Sequence, residues 1–193
     1  MSKHLTQRFE AALRYAFELH KGQYRKQSQI PYVSHLLAVT AIVLENGGTE
    51  NQAIAALLHD AVEDQGGYET LKKITERFGD EVAEIVEGCS DSFTVPKPDW
   101  EKRKSDYLLK LKESPDSTIL VSLADKVHNA RSILSDLKST EKDVWGKFNG
   151  GKSGTLWYYQ SLVEIFQNSS FSSLSVELQD LVAEIATLAQ IRE

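Results

Sequence analysis

The segment Ala53-Ile54-Ala55-Ala56-Leu57-Leu58-His59-Asp60-Ala61-Val62-Glu63-Asp64 constrains this chain more than any other. It opens as an uninterrupted apolar run, the pattern of a helix buried on all sides. A histidine and three carboxylates then follow within a few positions. Burying an unpaired charge is costly, so stability alone gives no reason to place His59-Asp60 at the end of a core run. A metal ion removes the conflict and gives the cluster a use. The rest of the chain is then expected to act as the frame that brings further ligands to this point.

That frame reads as helical. The 193 residues hold only four prolines and no alternating strand pattern of useful length. Apolar positions at helical spacing predict helices over about 6–21 and 35–45, the second with Ser34 as N-cap. Thr49 with Gln52 forms a capping-box pattern and opens one continuous helix over 50–64. Shorter helices follow, around Leu71, Ile74 and Phe78, and around Val82, Ile85 and Val86. Residues 90–99 are the clearest non-helical linker, a candidate lid. Helix returns over 100–112 with Lys102-Arg103-Lys104 exposed. A second apolar run, Ile119 to Ala124, again ends abruptly in charge at Asp125-Lys126. Two amphipathic helices, about 155–168 and 174–191, finish the chain and are expected to pack into the core. The Lys147–Gly154 loop has neither the spacing nor the preceding strand of a phosphate loop. The expected fold is all-α, a compact bundle of roughly eight to ten helices. It is read as one domain over 1–193, with a motif-bearing core at about 6–137 and C-terminal helices at about 138–193.

Charge and cysteine content narrow the function classes. A net charge of −6 argues against a general nucleic-acid binder, which needs a basic face. It does not oppose an anionic small molecule, because charge around a site can differ in sign from the total. One cysteine, Cys89, allows no intrachain disulfide and suits a reducing compartment. The first residues lack the apolar stretch of a signal peptide, and no run approaches the ~20 apolar residues of a membrane span. A cytoplasmic protein without membrane or nucleic-acid partners is expected. The oligomeric state is not legible, and a homodimer stays open.

On a helix over 50–64, His59 with Glu63 and Asp60 with Asp64 are i,i+4 pairs, so the four form one patch near the C-terminus. Acidic groups there oppose the helix dipole, which weakens the reading of a plain solvated face. His35, His59, Asp60 and Asp125 come from three helices and supply two nitrogens and two oxygens. Such a mixed set suits Mn2+, Fe2+ or Zn2+. Glu63 and Asp64, one turn on, are placed to orient or deprotonate a water. His20 and His128 read as packing or outer-sphere residues.

Taken together, these segments resemble a known family. A central His59-Asp60 with upstream His35 and downstream Asp125 is similar to the HD superfamily of metal-dependent phosphohydrolases. Finer likeness lies in His20-Lys21-Gly22-Gln23-Tyr24-Arg25-Lys26, Pro31-Tyr32-Val33-Ser34-His35, Ala55 to Asp64, Phe78 to Ala83, and Leu123 to Arg131. These resemble the hydrolase domain of the RelA/SpoT family and its stand-alone alarmone hydrolases. The resemblance implies an all-α enzyme with one Mn2+ that removes the 3′-pyrophosphate of guanosine 3′,5′-bis(diphosphate) or its pentaphosphate relative. His35, His59, Asp60 and Asp125 would hold the metal, and Glu63 and Asp64 would activate water. Arg25, Lys26, Ser28, Lys126 and Asn129 would contact the nucleotide. Other nucleotides (an adenosine alarmone, the phosphate of NADPH, a nucleoside monophosphate) are competing substrates, and a non-catalytic nucleotide sensor is a reading of another class. The sequence departs from the family at Leu36, where proline is common, and at Gly88-Cys89-Ser90-Asp91, where Gly-Val-Thr-Lys is usual. The loop Gln27 to Ile30 lacks the usual glycine. No synthetase domain follows within the chain, so hydrolysis without synthesis is expected.

Overall fold

The computed structural model describes residues 4–94, 96–139 and 143–191. Val95 of the linker and residues 140–142 at the expected core boundary lie outside them. Among the described residues there are ten α-helices, one 3-10 turn and no strand. In order they are α1 (Gln7–Leu19), α2 (Val33–Glu45), α3 (Glu50–Leu58), α4 (Ala61–Asp64), α5 (Gly67–Phe78), α6 (Asp80–Cys89), α7 (Trp100–Lys112), α8 (Asp116–Lys138), a 3-10 turn (Trp145–Lys147), α9 (Gly151–Phe166) and α10 (Ser172–Ile191). The all-α expectation holds.

Two apolar helices form the axis. In α3 every residue from Ala53 to Leu58 is fully buried. α8 is buried along most of its length, from Thr118 to Leu137. α2, α3, α6 and α10 pack against α8, and α1 covers α3. Apolar surface withdrawn from water drives this assembly. The C-terminal helices join the same core through Leu162, Phe166 and Leu178, as expected, with Val163, Leu181 and Leu188 packed at its edge.

Several boundaries differ from the periodicity reading. The helix expected over 50–64 is interrupted at His59-Asp60, between α3 and α4. The His59 ring explains the break: its Nδ1 donates to the Ala56 carbonyl at 2.8 Å, engaging the acceptor that the Asp60 amide would use in an unbroken helix. Thr49 and Gln52 form the reciprocal capping box at the start of α3, as expected. Ser34 is not the cap of α2. That helix begins two residues earlier, from a turn at Pro31 whose carbonyl accepts the Ser34 amide at 3.0 Å. α9 starts at Gly151 rather than 155, because Gly150 and Gly154 lie flat against the Trp100 indole, where a β-carbon would collide.

The loop between α1 and α2 folds back on itself. Arg25 and Ile30 are joined by a backbone hydrogen bond, as are Tyr32 and Gln23, each at 2.9 Å. The turn needs a left-handed residue, and Gln27 takes it at φ 51°. Glycine would hold that conformation without the Cβ penalty.

The 90–99 linker is non-helical, as expected, and is tied to the body at both ends. Asp91 is the anchor. Its buried carboxylate binds Arg103 and, at 2.7 Å, Lys104. Arg103 and Lys104 are therefore not the exposed charges expected from sequence, while Lys102 is. Burial disfavours the Asp91 charge, but Lys104 and Arg103 outweigh it and bring its pKa down to about 2. A depressed carboxylate stabilises the fold above its unfolded pKa and stops doing so as pH falls through the folded one. Wild type is therefore expected to exceed Asp91→Asn in urea stability at pH 6, with the gap closing between pH ~4 and ~2. In the same measurement at neutral pH, Leu123→Ala should cost about 2–5 kcal/mol. Leu109→Ala, at a position 64% exposed, should change stability by less than about 0.5 kcal/mol.

Candidate metal centre and its pocket

The end of α3 and the middle of α8 meet α2 at one point. His35 comes from α2, His59 and Asp60 from the α3–α4 break, and Asp125 from the middle of α8. His35, His59 and Asp125 are all buried, and each offers a ligand atom within 4.8 Å of the others. Asp60, less buried, closes the group. Its Oδ2 lies 3.5 Å from His35 Nε2 and 3.1 Å from His59 Nε2. Asp125 Oδ1 lies 3.2 and 3.6 Å from the same two nitrogens.

Both Nε2 atoms are buried and have no hydrogen-bond partner among the described residues. Two imidazole lone pairs and two carboxylates thus converge on one buried point, a donor set that fits a divalent cation. The electrostatics agree. Burial alone would lower the proton affinity of His59, yet Asp60 and Asp125 raise it well above the ordinary range. Asp60 and Asp125, though buried, are held well below theirs by His59, His35 and, for Asp125, first of all Lys126. The point attracts positive charge.

Each of these side chains is held from behind. Asp60 Oδ2 accepts the Tyr32 hydroxyl at 2.5 Å. Burial, then Asp60, push the Tyr32 pKa far up, so the phenol stays a donor. Asp125 Oδ2 takes the Lys126 ammonium at 2.5 Å, and its Oδ1 accepts the Asn129 amide. His35 Nδ1 meets His128 Nδ1 at 2.7 Å.

Glu63 and Asp64 sit one turn further, at the end of α4. Glu63 Oε1 accepts the Asp91 backbone amide at 2.7 Å, and its Oε2 lies 3.2 Å from Lys97. Burial first, then Asp91 and Asp60, raise its pKa. Asp64 accepts from Gln23 at 2.8 Å and lies 3.6 Å from Lys97. Gln23 Oε1 in turn accepts from His20 Nδ1 at 2.8 Å.

A cavity of about 840 Å³ opens beside these groups. Its lining mixes carboxylates, among them Asp60, Glu63, Asp64 and Asp125, with eight cationic side chains, Arg25, Lys26, Lys97, Arg103, Lys104, Lys126, Arg131 and Lys147, and with the aromatic Trp100, Tyr158 and Tyr159. Arg25 reaches Asn129 Oδ1 at 2.7 Å. Lys26 is exposed, and its partial desolvation, then Lys104 and Lys97, lower its pKa. Lys104 lies over the Tyr158 ring at 4.7 Å. Four of the five residues expected at the nucleotide are engaged with protein groups, Arg25 with Asn129 and Asn129 also with Asp125 among them. The Ser28 hydroxyl closes its own loop through the Arg25 carbonyl at 3.1 Å and the Ile30 amide at 3.2 Å. Lys126 is bound to Asp125. Sequence reading missed Tyr32, Gln23, Asp91, Lys97 and Lys104. Of these, Tyr32 and Gln23 lie inside segments already singled out, and the other three carry no local signal.

The HD domain family model matches residues 12–156. A guanosine-3′,5′-bis(diphosphate) 3′-pyrophosphohydrolase, MESH1, of Xenopus tropicalis is 36% identical over 139 residues, 70% of this chain and 73% of that protein. A probable enzyme of the same description from Synechocystis is 34% identical over 66% of this chain, which spans only 17% of that longer protein. The solved structure of a metazoan ortholog of SpoT, which hydrolyses ppGpp, superposes with a TM-score of 0.78. It covers 95% of this chain and 98% of the other at 24% identity, a likeness of fold. The matched stretch contains the four converging side chains, the acidic pair and the Arg25 loop, and the chain belongs to the HD domain family.

Proposed function

We propose that this chain is a Mn2+-dependent pyrophosphohydrolase that removes the 3′-pyrophosphate of guanosine 3′,5′-bis(diphosphate) or its pentaphosphate relative, leaving GDP or GTP. One observation carries the reading: Asp60 and Asp125, which converge with the buried His35 and His59, line a cavity together with Glu63, Asp64 and eight cationic side chains. A polyphosphate with a reactive phosphorus needs both kinds of surface. The relationship to the Xenopus enzyme supplies the nucleotide.

His35, His59, Asp60 and Asp125 would hold the ion. When bound, it lowers the pKa of a water and neutralises charge on the phosphoryl oxygens. Glu63, its proton affinity raised by burial and by Asp91, takes the water proton, since a base titrating closer to neutrality accepts it more readily. The water oxygen bonds to the phosphorus attached to the ribose 3′ oxygen as the bond to that oxygen breaks; pyrophosphate leaves, and the 3′ oxygen takes up a proton to become the hydroxyl of GDP or GTP. Asp64, steadied by Gln23, orients the water. Arg25, Lys26 and Lys104 hold the remaining phosphates, and Asn129 links Arg25 to Asp125, so nucleotide and metal share one support. Positioning and electrostatic effects of this kind dominate phosphoryl chemistry.

No helix among the described residues is long and apolar enough to cross a membrane. Cys89 is free, and we place the activity in the cytoplasm.

A nucleotide panel assayed with Mn2+ tests the reading. The guanosine tetraphosphate should be turned over and nucleoside monophosphates left intact; the reverse preference would refute it. A chelator should abolish turnover and added Mn2+ restore it. Glu63→Gln should lower kcat by about 10²–10⁴-fold while nucleotide affinity stays nearly constant. Arg25→Ala should act mainly on KM.

A further inference from the structure

The two histidines of the metal group are supported differently. His59 Nδ1 faces a peptide carbonyl, that of Ala56. A carbonyl only accepts, so the first ring proton belongs on Nδ1, and in the neutral ring that a cation requires Nε2 is the bare nitrogen. His35 has no such guarantee. Its Nδ1 lies 2.7 Å from another imidazole nitrogen, Nδ1 of His128. One proton fits between two nitrogens at that distance, and either ring can own it. If His35 owns it, His35 Nε2 is bare and can bind a cation. If His128 owns it, the His35 proton sits on Nε2, directed at Asp125 Oδ1 and Asp60 Oδ2, 3.2 and 3.5 Å away. In that second state His35 is no ligand.

We propose that His128 is a positioning residue of the metal centre: its bare Nδ1 accepts the His35 Nδ1–H and thereby leaves His35 Nε2 free for the cation. The inference rests on the metal reading above and adds to it a residue without a ligand role. Placement favours it. His128 lies three residues after Asp125 on α8, so one helical turn supplies both a ligand oxygen and the acceptor behind a ligand nitrogen. The rings pack with centroids 4.8 Å apart. His35 itself is fully buried. Outer acceptors of this kind set the tautomer and orientation of a metal-binding imidazole.

The test compares wild type, His128→Leu and His128→Asn. Asparagine carries its amide oxygen close to the position of a histidine Nδ1, while leucine fills space without accepting. Mn2+ affinity by titration calorimetry should fall about 10–100-fold in His128→Leu and recover most of that loss in His128→Asn, with circular dichroism confirming that both fold. Zn2+, a diamagnetic probe, allows a direct reading. In Zn2+-loaded wild type, ¹H–¹⁵N spectra should place the shared proton on His35 Nδ1, with a coupling across the hydrogen bond to His128 Nδ1. Equal affinity in wild type and His128→Leu would overturn the inference, as would equal losses in both variants or a shared proton bonded to His128. A wild-type protein that takes up neither ion would instead remove the metal reading itself, and this inference with it.

Discussion

Two imidazoles and two carboxylates are withdrawn from water where the end of α3 meets the middle of α8, and the cost of that burial orders the rest of the molecule. Removing an ion from water costs several kcal/mol even after the protein relaxes. Asp60 and Asp125 bear that cost next to the fully buried stretches of α3 and α8. The surroundings are arranged to offset it. Tyr32 donates to Asp60, while Lys126 and Asn129 divide the two oxygens of Asp125. The backbone takes part as well, since the break between α3 and α4 frees the Ala56 carbonyl for His59. A cation at the centre completes an arrangement that the protein groups alone leave with two unpartnered nitrogens.

The cavity follows from the same economy of charge. The chain is acidic overall, with a net charge of −6, yet eight cationic side chains line the pocket beside its seven carboxylates. Two contacts join its acidic and basic sides. Lys97 lies against Glu63 and Asp64, and Asp91 gives its amide to Glu63 and its carboxylate to Arg103 and Lys104. The linker between α6 and α7 is thus part of the site. Charges of opposite sign in a low-dielectric cleft attract more strongly than the same charges on an open surface, which lets acid and base groups stay ionised side by side.

Much of this was legible in the residues. The apolar runs before His59 and before Asp125 marked the two axial helices, and a polar or ionic end to a core helix is informative because burial makes it expensive. The Thr49–Gln52 box marked the start of α3 because that interaction is local. What escaped notice was long-range. Lys102-Arg103-Lys104 looks like an exposed run until Asp91, in a loop a dozen residues earlier, buries two of the three. Ser28 lines the cavity, and only the folded loop shows that its hydroxyl also closes its own turn. Lys97, Gln23 and Tyr32 acquire roles through partners 28 to 41 residues away.

The sequence by itself determined that the chain is helical, where its buried runs lie, and which four side chains are ligand types ending or entering those runs. These follow from periodicity and from the cost of charge in a core, both of which act through near neighbours. The tertiary structure alone decided which ring nitrogens face the carboxylates, which cations turn into the pocket and which are already paired. It also broke the helix at His59-Asp60. Those outcomes depend on hydrogen-bond partners brought together by packing, and a tautomer or an ion pair exists only once both partners are in place.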